Sequence, residues 1–349
     1  MRHSQAKKVP RSQALEAAVI GGGSFGTALA SLLARNGRRV LLWVRRTEQA
    51  NEINRRHTNH LYFPDQSLPE ALRATADLKS AVSGTPVVIL AVPSKSFREI
   101  ARRVGDHLTG EQVVLHVTKG IEPDSFKRMS EILREETCAL KIGVLSGPNL
   151  AGEMMRGDPS GALIASHFDE VVRKAQELFA GGSLRLYGGM DVIGTEIGGA
   201  FKNIVALVSG AASGMGFGDN TKALIITRGL SEMTQYGVAL GADMLTFGGL
   251  AGIGDLMATC NSSLSRNFQV GRRLSQGEKL KKIIESSTQV AEGVSTTRAV
   301  HRQARDLNLD LPLVEAVYAV LYEGADPRAQ LLRLMSRPTG FERVRLRAS

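Results

Sequence analysis

Ala17-Ala18-Val19-Ile20-Gly21-Gly22-Gly23-Ser24-Phe25-Gly26 sets a short apolar run directly against a glycine-rich turn, and Thr27 to Arg35 continues with helical periodicity. Gly21, Gly23 and Gly26 fit the spacing G-x-G-x-x-G after a strand and before a helix. The first glycine permits the tight turn, the second lets a pyrophosphate approach the backbone, and the third lets helix and strand pack closely. The start of the helix then offers free N–H groups and a partial positive charge to phosphates. A bound dinucleotide is the ligand this arrangement fits. The alternative, a glycine-rich turn without a ligand, leaves the flanking strand and helix unexplained.

Reading outward, Asn36-Gly37 closes the helix with residues that tolerate left-handed backbone, and Val40 to Val44 forms a second strand. Pro86 to Val92 is a continuous apolar run, as expected of a strand buried on both faces of a parallel sheet. Val113 to Val117 and Ile142 to Leu145 are two more. Strands separated by helical stretches imply right-handed crossovers and an α/β, doubly wound (Rossmann) sheet. From about Met190 the character changes to glycine- and alanine-rich helical segments: Ala200 to Gly214, Lys222 to Gly237, Thr246 to Thr259 and Pro312 to Glu323. The expected division is a leader over 1–14, a dinucleotide-binding domain over 15–190, an all-α substrate-binding domain over 191–335, and a basic tail over 336–349. Arg337, Arg343, Arg345 and Arg347 of that tail have no amphipathic apolar face beside them, which favours a solvated tail over a membrane contact.

The 349 residues suffice for two domains, and 43% apolar with 22% charged residues is an ordinary globular composition. The net charge of +10 is scattered rather than gathered into a stripe, and aromatics make up only 5%, which argues against nucleic-acid binding. Positive potential also suits phosphorylated small molecules. No apolar run is read as approaching the roughly 18 residues of a membrane span, and no secretory signal is read at the N-terminus. With only Cys138 and Cys260, a disulfide framework and a structural zinc site are not expected. A cytoplasmic protein without stable membrane insertion follows.

The end of the second strand bears on the cofactor. An NAD site usually places Asp or Glu there, an NADP site an Arg near the 2′-phosphate. Here the strand ends Trp43-Val44-Arg45-Arg46, with Glu48 too far along to substitute. NADPH is therefore the expected cofactor, with NAD use left open; Arg45 and Arg46 pointing into solvent is the plain alternative. Three further segments carry candidate chemistry. Lys119 in Val117-Thr118-Lys119-Gly120 follows an apolar strand, which puts it at the ligand-gathering carboxyl edge of the sheet. Lys202, in Gly198-Gly199-Ala200-Phe201-Lys202-Asn203, opens an apolar helix, and desolvation there would lower its pKa toward proton transfer. Asp255 and Thr259 lie four apart on one helix face. Ser265-Arg266-Asn267 offers a guanidinium fork and an amide to a phosphate.

Together with Ala-Val-Pro-Ser at 91–94, Thr-Lys-Gly-Ile-Glu at 118–122, Ser-Gly-Pro-Asn-Leu-Ala at 146–151 and Gly254-Asp255-Leu256, these motifs resemble, in order from about residue 16 to 335, the NAD(P)-dependent sn-glycerol-3-phosphate dehydrogenases, most closely their bacterial biosynthetic branch. The resemblance implies Lys202 as proton donor and acceptor at the C2 oxygen, and Lys119 as a second catalytic cation beside nicotinamide and substrate. It implies that Gly147, Asn149, Asn203, Asp255, Thr259, Ser265, Arg266 and Asn267 hold the substrate, dihydroxyacetone phosphate or glycerol 3-phosphate. It implies cofactor contacts from Gly21, Gly23, Ser24, Phe25, Gly26, Arg45, Arg46, Lys119, Ala151 and Arg266, with Val290 and Glu292 closing from the second domain. No metal is expected, and a homodimer supplying phospholipid precursor is implied. Asn149, where relatives more often carry Ser or Thr, and Phe25, in place of a tyrosine, depart mildly from the pattern.

Two rivals remain at this level. A 2- or 3-hydroxyacid dehydrogenase of related architecture would set its companion asparagine about one helical turn past the lysine, where this chain has Ala206; here Asn203 follows Lys202 directly. A non-catalytic dinucleotide sensor would have no need of Lys119, Lys202, Asp255 and Arg266 together.

Overall fold

The computed structural model describes residues 14–286 and 291–338. Almost all of the expected leader, Val290, and the tail residues Arg343, Arg345 and Arg347 lie outside the described residues. Eight strands form one sheet: β1 (Ala17–Ile20), β2 (Val40–Trp43), β3 (Arg73–Thr75), β4 (Val87–Leu90), β5 (Val113–His116), β6 (Ile142–Ser146), β7 (Ser160–Ala165) and β8 (Leu184–Gly189). Their spatial order is β3-β2-β1-β4-β5-β6-β7-β8, so the chain reverses direction across the sheet between β3 and β4. β1 pairs parallel with β2 and β4, and Ala17 stands opposite Val40 and Ala18 opposite Val88.

The apolar runs explain the central strands. In β1, Ala17 and Val19 enter one core layer, Ala18 and Ile20 the other; in β4, Val87 and Ile89 alternate in the same way with Val88 and Leu90. A strand with both faces covered has no place for a polar residue, which is why these strands read as unbroken apolar runs. Three strands escape that reading. β3 is three residues long, while β7 (SGALIA) and β8 (LRLYGG) are partly exposed and rich in glycine. The β6–β7 pairing is antiparallel, the one departure from the parallel ladder expected of a doubly wound sheet; β7–β8 is parallel again. Helix α1 (Ser24–Arg35) begins three residues earlier than the periodicity from Thr27 indicates, so Ser24 lies in its first turn.

Past Gly189 the described residues are helical. The post of this region is α2 (Val192–Gly214), 23 residues long and buried along most of its length. It starts at Val192 rather than near Ala200, because the Asp191 side chain accepts the Gly194 N–H at 2.8 Å and caps it. Lys202 therefore sits mid-helix and not at a helix start. By length and composition α2 could cross a membrane, contrary to the sequence reading, yet the protein itself encloses it. Around it pack α3 (Asp255–Asn261), α4 (Arg266–Ser275), α5 (Glu292–Asp306) and the helix Pro312–Tyr322. The expected single helix from Thr246 to Thr259 is broken into Met244–Phe247, a π-helical turn over Leu250–Gly254, and α3. Helices α2 and α4 touch backbone to backbone. A Cβ at Gly210 would fall 1.9 Å from the Phe268 carbonyl oxygen, and one at Gly271 1.9 Å from that of Leu207.

Candidate active site

A cleft of about 840 Å³ runs along the carboxyl edge of β1, β4 and β5 and is walled on its other side by α2, α4 and the start of α5. One end holds the glycine turn. Gly21 adopts φ +127°, and a Cβ there would fall 2.5 Å from the Ala91 carbonyl oxygen. At Gly26 a Cβ would lie 1.9 Å from the Gly21 carbonyl oxygen, so the turn closes only around hydrogen. At Gly23 a Cβ would meet nothing within 4 Å, and the space above that backbone is open to the cleft. Tight where helix meets strand and bare where a ligand would lie, the turn fits a pyrophosphate-bearing dinucleotide. Gly26→Ala should cost about 1–3 kcal/mol of overpacking strain and weaken NADPH binding about 5- to 150-fold. A fluorescence titration giving an unchanged Kd would count against this account of the turn.

Arg45 and Arg46 are exposed and line the cleft beyond the end of β2. The Arg103 guanidinium stands 5.7 Å over the Trp43 ring beside them. Facing the turn from the helical side, Arg266 donates to Ser24 Oγ at 3.1 Å. Its burial weakens its hold on the proton, a shift opposed by Tyr62 and Glu292 nearby. Glu292, on α5, accepts the Ser94 N–H at 3.0 Å and also takes the Ser94 hydroxyl, tying α5 to the first turn of the helix Ser94–Gly105 that follows β4. Burial pushes the Glu292 carboxyl up, against the pull of the Ser94 hydrogen bonds.

The other end of the cleft holds a chain of alternating charge. Lys119 Nζ, reaching from the loop after β5, donates to Asp255 Oδ2 at 2.6 Å and to the Gly147 carbonyl oxygen at 3.0 Å. Lys202 Nζ, from α2, donates to Asp255 Oδ1 and, at 2.7 Å, to Thr259 Oγ1. Asp255 is only 1% exposed, and both of its oxygens are taken by ammonium groups. Burial lowers the Lys202 pKa to about 8: Asp255 pulls it up, and Lys119 pushes it further down. Two cations against one anion leave the site with a net positive charge, which suits both a phosphate and a developing alkoxide.

A line of amides continues from Lys202. Asn203 Oδ1 accepts from Asn267 Nδ2 at 2.9 Å, and Asn267 Oδ1 accepts the Gly293 N–H at 2.9 Å. The close approach of α5 here depends on Gly293, where a Cβ would lie 2.6 Å from the Asn203 carbonyl oxygen. Ser265 caps α4, and the helix start with Arg266 and Asn267 faces the cleft, an arrangement that attracts anions. On the sheet side Asn149 Nδ2 donates to the Gly161 carbonyl oxygen at 3.1 Å, and its buried Oδ1 has no hydrogen-bond partner among the described residues. The two lysine-bearing elements are fixed against each other by Glu196 of α2. Its carboxylate accepts from Arg128 Nη1 at 2.7 Å and from the Ser130 N–H at 2.8 Å, with His116 Nε2 of β5 at 3.1 Å. Burial alone would push the Glu196 carboxyl up, but His116 and Arg128 hold it down at about 2.

Of the residues singled out in the sequence, Gly21, Gly23, Ser24, Phe25, Arg45, Arg46, Lys119, Asn149, Ala151, Lys202, Asn203, Thr259, Ser265, Arg266, Asn267 and Glu292 line this one cleft. Gly26, Gly147 and Asp255 lie behind its wall: Gly26 under the turn, the other two behind the lysines they hold. Tyr62 and Arg103 also reach the cleft, and Ser94 holds the Glu292 that lines it; none of the three was anticipated. Ser94 lies in the quoted Ala-Val-Pro-Ser motif and could have been singled out; Tyr62 and Arg103 sit in stretches with no distinguishing pattern.

A family model described as the N-terminus of NAD-dependent glycerol-3-phosphate dehydrogenase matches residues 16–172, and its C-terminal counterpart matches residues 191–331. Glycerol-3-phosphate dehydrogenase (NAD(P)+) of Teredinibacter turnerae is 46% identical over 315 residues, 90% of this chain and 93% of the relative. The protein of the same name from Acinetobacter baylyi is 45% identical over 327 residues, 94% and 91% of the two chains. The solved glycerol-3-phosphate dehydrogenase from Coxiella burnetii superposes with a TM-score of 0.89 at 34% identity, covering 93% of this chain and 99% of its own.

Proposed function

Because the chain belongs to the NAD(P)-dependent glycerol-3-phosphate dehydrogenase family, oxidoreductases acting on a CH–OH group, we propose that this cleft interconverts dihydroxyacetone phosphate and sn-glycerol 3-phosphate, with Lys202 as general acid and base and NADPH as the preferred cofactor. The observation that carries the assignment of roles is the pair of lysines on one buried carboxylate, opposite the glycine turn. The hydroxyacid and sensor alternatives have no comparable support.

The roles follow from the geometry. A dinucleotide would be held by the turn from Gly21 to Gly26, by Ser24, Phe25 and Ala151, and by Arg266 and Glu292 from the helical side; when bound, its nicotinamide supplies the hydride for C2. Asn149 bounds the substrate end from the sheet side, and Gly147 acts there through its carbonyl hold on Lys119. Arg266, with Asn267 and Ser265 at the start of α4, receives the phosphate. Asn203, locked by Asn267, orients the remaining oxygens. Lys119 polarises the carbonyl, and Lys202 donates its proton to the C2 oxygen as negative charge develops there. In the reverse direction neutral Lys202 takes the same proton back. On this reading residues 15–190 bind the dinucleotide and 191–335 the substrate. The family resemblance further implies a cytoplasmic homodimer feeding phospholipid synthesis; sedimentation velocity reads the oligomeric state.

The direct test follows NADPH absorbance with the purified protein and dihydroxyacetone phosphate, beside NADH, and a control in which 3-hydroxyisobutyrate is offered with NAD(P)+ and NAD(P)H formation is followed. Rapid oxidation with the triose phosphate alone is the expected result; turnover of the hydroxyacid instead would overturn it. For the cofactor, Arg45→Ala should raise the KM for NADPH about tenfold, the loss of one charge-assisted hydrogen bond of about 1.5 kcal/mol, and change that for NADH less than about twofold. Equal effects on both would remove Arg45 from 2′-phosphate recognition.

A further inference from the structure

Two buried side-chain amides meet beneath the glycine turn. Gln49 Nε2, on the helix Thr47–Arg56, donates to the Gly22 carbonyl oxygen at 2.7 Å and to Asn59 Oδ1 at 3.2 Å. Asn59, fully buried in the loop after that helix, donates from Nδ2 to the same oxygen at 3.2 Å and to Thr27 Oγ1 at 2.9 Å. A bridge between Asn59 and Phe63 ties the loop back on itself, so two separate elements converge on one carbonyl. Both lone pairs of that oxygen are thereby satisfied. Burying two amides costs free energy unless they are hydrogen-bonded, and here the bonds are spent on a peptide that carries no side chain of its own.

In a trans peptide the C=O and the N–H point to opposite sides. Pinning the Gly22 oxygen inward therefore turns the Gly23 N–H outward, toward the cleft that Gly23 lines. Between two glycines, with no Cβ on either side, a peptide flip meets the least steric resistance. A flipped peptide would aim a carbonyl oxygen at the approaching phosphates. We propose that Gln49 and Asn59 are positioning residues that lock the Gly22–Gly23 peptide so that its N–H faces the cofactor's pyrophosphate. The inference rests on the dinucleotide reading of the cleft.

Gln49→Met and Asn59→Leu each remove one donor while nearly keeping the volume. NADPH and adenosine 2′-monophosphate, which carries no phosphate at the 5′ position, are titrated against each variant and the parent, and thermal unfolding checks the fold. Each variant should raise the Kd of NADPH about tenfold, the size of one lost hydrogen bond. The monophosphate Kd, the kcat at saturating NADPH and the KM for dihydroxyacetone phosphate should stay within about twofold. An unchanged NADPH Kd, or equal weakening of both ligands, would overturn the proposal. Should either variant fail to fold, Gln49→Ser, with room for a water to replace the lost N–H, should bind NADPH more tightly than Gln49→Ala; no difference would again overturn it. If the parent binds no dinucleotide at all, the reading of the cleft falls, and the proposal with it.

Discussion

Replacing Lys202 with methionine should lower kcat for dihydroxyacetone phosphate reduction by about 10²- to 10⁴-fold, the range of a positioned general acid, while NADPH binding changes little. Methionine keeps the length of the stem in the packed mid-section of α2, so the lesion is confined to the ammonium. The pH profile gives an independent reading. With a pKa of about 8, Lys202 is protonated and able to donate at neutral pH. Ketone reduction should therefore fall as pH rises through about 8, and oxidation of glycerol 3-phosphate, which needs the neutral amine, should rise over the same interval. In Lys202→Met both limbs should flatten. A variant retaining near-parental turnover, or a parent with no inflection near that pH, would take the proton-transfer role away from this residue.

Asp255→Asn is the second large effect. The carboxylate is 1% exposed and is the shared counter-charge of two lysines. An asparagine of the same shape leaves both ammonium groups facing one neutral amide, and breaking a buried pair in this way costs about 3–5 kcal/mol. One relief is for Lys202 to release its proton, since the pull of Asp255 is what holds its pKa up against burial and Lys119. Stability should drop by several degrees in Tm, and kcat for reduction at pH 7 should fall at least about a hundredfold, with part of the loss recovered at lower pH as the amine is reprotonated. A loss of activity insensitive to pH would show that Asp255 serves geometry alone.

These effects trace back unevenly to the sequence. The glycine turn and the apolar runs of β1, β4 and β5 were legible because each obeys a local rule: residue size at a turn, or burial on both faces. Lys202 stood out because a lone cation in an apolar helix has few places to go. β7 and β8 were not legible, since SGALIA and LRLYGG are half-exposed and carry neither alternation nor an unbroken apolar run. The start of α2 was misplaced because the Asp191 cap lies eleven residues before Lys202, in a glycine-rich stretch that hides the helix. The tie between Glu292 and Ser94 spans 198 residues, and Gln49 and Asn59 reach Gly22 from 27 and 37 residues away. Local spacing carries no signal for such partners. Asp255 was visible as a conspicuous carboxylate; its placement between two lysines needed three elements brought together.

The long helix α2 has a consequence for synthesis of the chain. Its helical covering partners, the helix Asp219–Ala239, α3, α4, α5 and the helix Pro312–Tyr322, all follow it in sequence. At about 5–20 residues per second of translation, the roughly one hundred residues from its end to Tyr322 take on the order of 5–20 s to emerge. During that interval the sheet half has all eight strands available to pair, whereas this long apolar helix waits outside the ribosome without a wall on its far side. This segment is the natural client for a chaperone at that moment. Slowing translation between Ala239 and Pro312 should prolong its exposure and lower the yield of correctly closed enzyme.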